Sequence, residues 1–171
     1  MSMRNPGWIC LWALVFAAEA TPEGPKLGRP LSAEEIAALE INVLPDGTGL
    51  PLGFGTVETG KAVYERQCIR CHGPKGMGGS AGELVGQGPL SGETPDKTIG
   101  SYWPYATTIF DFVRRSMPQD APRSLNDGEV YAVTAYLLYL NGIIEEKAVM
   151  DAKSLPAVRM PNREGFTRMW P

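Results

Sequence analysis

The chain has 171 residues, 43% of them apolar, with 16 basic against 19 acidic side chains and a net charge of −3. That balance is too mild for a nucleic-acid binder, and the length is that of one domain with an ordinary core. Twenty glycines and fifteen prolines predict long irregular segments.

Arg4, the apolar run Ile9 to Ala18 and the small-residue pattern Ala18-Glu19-Ala20 predict a secretory signal peptide over residues 1–20. The run is too short for a stable bilayer anchor, and no later stretch is apolar for long enough. The mature protein, from Thr21, is therefore expected in the periplasm and off the membrane. Residues 21–55 read as an extended N-terminal flank. Pro22, Pro25 and Pro30 keep its start extended, and Ser32-Ala33-Glu34-Glu35 is a capping-box pattern opening a short helix over Glu34 to Glu40. Pro45-Asp46-Gly47-Thr48-Gly49 is a turn.

A helix over Val57 to Cys68 then leads into Cys68-Ile69-Arg70-Cys71-His72. This C-x-x-C-H pattern is the attachment site of a c-type haem. Two thiols separated by two residues can each form a thioether to one haem vinyl group. The next histidine can then reach the iron. A bare C-x-x-C is also half a zinc site or a thioredoxin-like redox pair. Zinc needs two further ligands, and the chain has three cysteines, one of them in the signal segment, and one histidine. One covalent haem on Cys68 and Cys71 is the expectation, with His72 as an axial ligand.

Residues 73–100 hold nine glycines and read as a long loop around one side of that haem. Pro104 suits a first helical turn, and a helix over Tyr105 to Ser116 follows, with Ile109, Phe110 and Val113 on one face. Asn126-Asp127-Gly128-Glu129 caps a helix running to Asn141 and stopped by Gly142. There are no internal repeats, and no run alternates like a strand. The fold class expected is all-α, with signal peptide 1–20, flank 21–55, haem domain 56–142 and C-terminal extension 143–171.

The iron needs a sixth ligand or an open face. No second histidine exists, and both mature thiols are committed, so methionine is the best remaining donor. The candidates are Met77, Met117, Met150, Met160 and Met169. Met117 leads: it follows a helix, precedes Pro118, and lies before the last long helix. Met/His is a known electron-transfer pair. Met160, also followed by proline, is the rival, and core packing is the alternative use of any methionine.

This order of helix, C-x-x-C-H, glycine-rich loop, helix, Met-Pro and capped terminal helix resembles a class I cytochrome c. The resemblance implies three to five helices around one covalent haem. It also implies a close crossing of Gly60 and Tyr64 against Val133 and Tyr136. The histidine's other ring nitrogen should donate to a loop carbonyl, with Gly82 and Pro89 both open. Trp103, Tyr105, Arg114 and Arg115 are candidates for the haem propionates, or else ordinary core and solvated side chains.

A narrower resemblance rests on Leu27-Gly28-Arg29-Pro30, Pro45 to Pro51, "GSYWPYATTIFDFVRRSMPQDAPRSL" from Gly100 to Leu125, "VYAVTAYLLYLNGI" from Val130 to Ile143, and "SLPAVRMPNREGF" from Ser154 to Phe166. These stretches resemble the haem subunits of bacterial sulfite and sulfur dehydrogenases, including the cytochrome domain of the thiosulfate-oxidising system. The family implies a molybdenum (molybdopterin) partner that oxidises the sulfur compound, and a downstream cytochrome c or terminal oxidase. No catalysis is then expected of this chain alone. The thiosulfate-system cytochrome carries a second haem domain; a single C-x-x-C-H here points toward the single-haem sulfite dehydrogenase type. A freely diffusing carrier for another dehydrogenase or oxidase is the alternative. A haem enzyme or gas sensor with a labile sixth ligand is a third class, disfavoured by Met117. Arg66, Arg70 and Lys75, near the motif, are candidates for steering a partner, or else solvated side chains.

Overall fold

The computed structural model describes residues 27–167 together with residue 169. The expected signal peptide lies outside the described residues. Two compact units divide the chain, Met1–Ala37 and Ala38–Pro171. In the first, Ser32 and Glu35 close a capping box: the Glu35 amide donates to Ser32 Oγ at 3.2 Å and the Ser32 amide to Glu35 Oε2 at 2.8 Å. This satisfies two donors that a helix start leaves open. The helix it opens, α1, spans Ala33–Leu39. Arg29 also pairs with the Glu35 carboxylate.

The second unit is helical with one small sheet. It contains β1 (Phe54–Thr56), α2 (Val57–Gln67), α3 (Ile69–His72), a 3-10 turn (Pro74–Gly76), α4 (Ala106–Ser116), α5 (Asp127–Leu140), β2 (Val149–Asp151) and α6 (Ser154–Ala157). Four of these helices, α2 to α5, lie within the expected haem domain 56–142, while α1 lies in the flank and α6 in the C-terminal extension. The sheet is a correction to the all-α expectation. β1 and β2 pair antiparallel with Gly55 opposite Met150, and three-residue strands are too short to display an alternating pattern.

α5 is the spine. All nine residues from Val130 to Leu138 are buried, as expected of a helix that is apolar all round. Each large side chain so buried contributes about 1.5–3 kcal/mol. Asn126 caps its start reciprocally with Glu129, both bonds 3.0 Å, and Gly142 ends it at φ +68°. α2 crosses α5 at Gly60. A methyl group there would overlap the Ala132 carbonyl and come within 2.9 Å of Tyr136 Cβ. Beside it the Tyr64 and Tyr136 rings pack at 5.4 Å. The crossing therefore uses Ala132 and Tyr136, while Val133, expected there, faces the cavity described below. Gly55 serves β1 in the same way, since a Cβ would strike the Ala132 backbone.

The C-terminal stretch folds back on this body. Met150, Leu155 and Met160 join the core formed by α2, α4 and α5. Pro104 precedes α4 instead of starting it, because Tyr105 holds the extended cap position. Among the described residues no helix is long and apolar enough to cross a membrane.

Candidate functional site

The end of α2, α3, the loop after it, α4 and α5 enclose a cavity of about 420 Å³. That lies within the range of about 300–1,000 Å³ typical of cofactor sites. Its wall is mostly apolar, with Leu84, Ile99, Ile109, Val113 and Leu137 among the lining residues.

One wall carries the cysteine motif. Cys68 closes α2, donating its amide to Tyr64 O at 2.8 Å. The Cys71 and His72 amides donate back to Cys68 O at 3.1 and 3.0 Å. This single helical turn gathers residues three and four apart on one face, so Cys68, Cys71 and His72 all line the cavity. Gly73 ends the turn at φ +72°, and its carbonyl accepts the Tyr64 hydroxyl at 2.8 Å. Cys68 and Cys71 form no disulfide. Burial pushes Cys68 up to about 11, partly offset by Arg66, and pushes Tyr64 up to about 12.

His72 Nδ1 lies 2.9 Å from Gly82 O. A carbonyl only accepts, so Nδ1 carries the hydrogen and the Nε2 lone pair is left for a metal. Of the two acceptors left open by the sequence, Gly82 is therefore the partner. The loop that presents it is held by residues that the sequence did not single out. Asn141, almost fully buried, accepts from the Gly86 amide at 3.2 Å and donates to Leu84 O at 3.2 Å and Leu137 O at 2.9 Å. Thr98 Oγ1 donates to Gly86 O at 2.7 Å. An asparagine just before a glycine at a helix end reads in sequence only as a terminator.

Met117 stands at the C-terminus of α4, with its amide donating to Val113 O at 3.0 Å. Its bond to Pro118 is cis. Met117 is the one methionine among the described residues that lines the cavity. Met160, 1% exposed, and Met150, in β2, belong to the core, while Met77 and Met169 are exposed.

The proposed propionate partners separate. Trp103 lines the cavity. Tyr105 instead stacks beneath the Arg163 guanidinium at 4.4 Å. Arg114 pairs with Asp127 at 3.1 Å, and Arg115 with Asp111 at 2.8 Å and Asn42 at 2.9 Å. Neither arginine is among the lining residues. Arg66 is likewise paired with Glu129 at 2.6 Å, and Arg70 with Asp120. Lys75 makes no ion pair among the described residues.

Two thiols, one imidazole and one thioether around an apolar space suit a porphyrin. Among the described residues no group of three His, Cys, Asp or Glu side chains is placed to hold a metal ion.

Comparisons with known proteins agree. Residues 55–137 match the family of cytochrome C oxidase, cbb3-type, subunit III. A chain of the sulfane dehydrogenase SoxCD from Paracoccus pantotrophus superposes with a TM-score of 0.77. The two are 45% identical, over 83% of this chain and 71% of that one. The chain is a c-type cytochrome, and it resembles the haem subunits of sulfur dehydrogenases. The cytochrome is also 33% identical over 87 residues to a thiosulfate dehydrogenase of Stutzerimonas stutzeri, and 28% identical over 121 residues to one of Allochromatium vinosum. It spans only 28% and 39% of those two proteins. Its fold is of the cytochrome c type, its family implies haem c, and its relationships are consistent with electron transfer.

Proposed function

We propose that this cytochrome has the class I arrangement, with one haem c held by thioethers from Cys68 and Cys71 and by His72 and Met117 as axial ligands. The observation that carries this is the cavity itself, which Cys68, Cys71, His72 and Met117 all line. Bound haem would supply a ferric/ferrous couple for single electrons. The protein's own groups set its properties. The Gly82 carbonyl fixes the His72 tautomer, and the thioether of Met117 raises the reduction potential. The apolar wall excludes water, and Trp103 is the remaining candidate beside the propionates.

The protein acts as the haem subunit of a molybdenum-dependent sulfite or sulfur dehydrogenase. The partner performs the sulfur chemistry, and this chain passes electrons one at a time to a downstream cytochrome c or terminal oxidase. The similarity to a SoxCD chain over most of the length supports this reading. Export through residues 1–20 places the complex in the periplasm, with flank 21–55 and extension 143–171 outside the haem domain 56–142. The match to an oxidase subunit family over residues 55–137 favours a second reading, a general carrier. Purification at native expression, identification of the copurifying subunit and stopped-flow mixing with sulfite or thiosulfate separate the two. Haem reduction by the purified pair is expected. A haem left oxidised by that pair, yet reduced rapidly by another dehydrogenase, replaces the sulfur assignment with the general carrier.

A further inference from the structure

The loop from Met117 to Leu125 joins α4 to α5 and carries the proposed sixth ligand; its ends, Met117 and Leu125, pack on the core, but its middle has few polar ties. Among the described residues its backbone makes only local bonds: Met117 to Val113, Ala121 to Pro118 at 3.0 Å, and Ser124 to Ala121 at 3.3 Å. Residues 119–124 are exposed. Among the described residues, one polar contact links this loop to another element, and it is the ion pair between Asp120 and Arg70. Arg70 sits between the two cysteines on α3, and both partners line the cavity. The pair therefore links the helix that carries His72 to the loop that carries Met117.

We infer that Arg70 and Asp120 form a strap that holds the Met117 loop closed against the cysteine helix and so governs how readily Met117 leaves the iron. The inference rests on Met117 being the sixth ligand. Arg70 and Asp120 are positioning residues: they act on the iron through the loop. Their side chains are 61% and 57% exposed, so the pair is screened by solvent and adds little to global stability. Its effect concentrates on local opening, because opening the loop breaks this pair and, among the described residues, no other inter-element polar contact.

The test is titration of the ferric holoprotein with imidazole, which competes with the methionine for iron. Loss of the weak methionine–ferric absorption band reports the exchange. Arg70→Gln and Asp120→Asn should each bind imidazole about two- to fivefold more tightly than wild type, the range expected of an exposed pair. The double neutral variant should gain no more than either single one. The exchanged pair Arg70→Asp with Asp120→Arg should return toward wild type. High salt should raise the imidazole affinity of wild type and leave that of Arg70→Gln unchanged. Unaltered affinity in both single variants overturns the strap, and so do effects that add in the double variant. If Arg70→Gln impairs haem attachment, Asp120→Asn, outside the motif, decides alone together with the salt series. A wild-type protein without the methionine band fails the ligand assignment itself, and leaves the strap nothing to hold.

Discussion

Gly60→Ala tests the packing that positions the cysteine wall. On an exposed helix this exchange would stabilise by about 1 kcal/mol. Here the added methyl group overlaps the Ala132 carbonyl, and the obstacle is α5 backbone, which cannot rotate away as a side chain can. Overpacking of a core costs about 1–3 kcal/mol, and a backbone obstacle sets the upper end, leaving a net loss of about 2 kcal/mol. For a chain of this size that lowers Tm by about 4–8 °C. Gly82→Ala is the control: nothing lies within 4 Å of its added methyl group, and its stability should stay within about 0.5 kcal/mol of wild type. Thermal unfolding of the three ferric holoproteins, followed by circular dichroism, makes the comparison. A Gly60→Ala protein as stable as wild type would refute the close crossing of α2 and α5.

Mass spectrometry of denatured protein from cells competent in cytochrome maturation should show one added haem, and Cys68→Ala or Cys71→Ala should lose the holoprotein. Because Arg66 and Arg70 are engaged within the chain, partner association should fall only weakly with salt, and Lys75→Glu should remove most of that dependence. A steep slope that survives Lys75→Glu would locate the steering charges elsewhere. The Arg29 guanidinium lowers the Glu35 carboxyl to about 2, helped by the Ser32 amide. A depressed carboxyl stabilises the cap of α1 above its unfolded value of about 4.3 and loses that contribution as pH falls through about 2. An NMR titration should show Glu35 returning toward the ordinary carboxylate range in Arg29→Gln, and an unchanged midpoint would exclude the pair.

The sequence made the helices and the motif readable because both follow local rules. The capping patterns at Ser32 and Asn126, the spacing of Val130, Val133 and Leu137, and the Cys68-to-His72 turn all depend on neighbours within four residues. What it missed depends on distant contacts. β1 and β2 exist because residues far apart meet over Ala132, and Met150 fills the space beneath. Gly82 and Pro89 were equal candidates until the loop's path, anchored by Asn141, placed one carbonyl beside His72. Arg114 and Arg115 could be read as propionate partners because a charge's partner cannot be read from its own position. Met117 and Met160 share the same Met-Pro dipeptide, and only tertiary packing puts one at the cavity and the other in the core.

That distinction is the most direct test of the account. The weak absorption band of methionine-ligated ferric haem should be present in wild type and in Met160→Ala, and absent in Met117→Ala. The opposite pattern, with the band lost in Met160→Ala and kept in Met117→Ala, would contradict the assignment of the cavity and move the iron to a site that the fold does not provide.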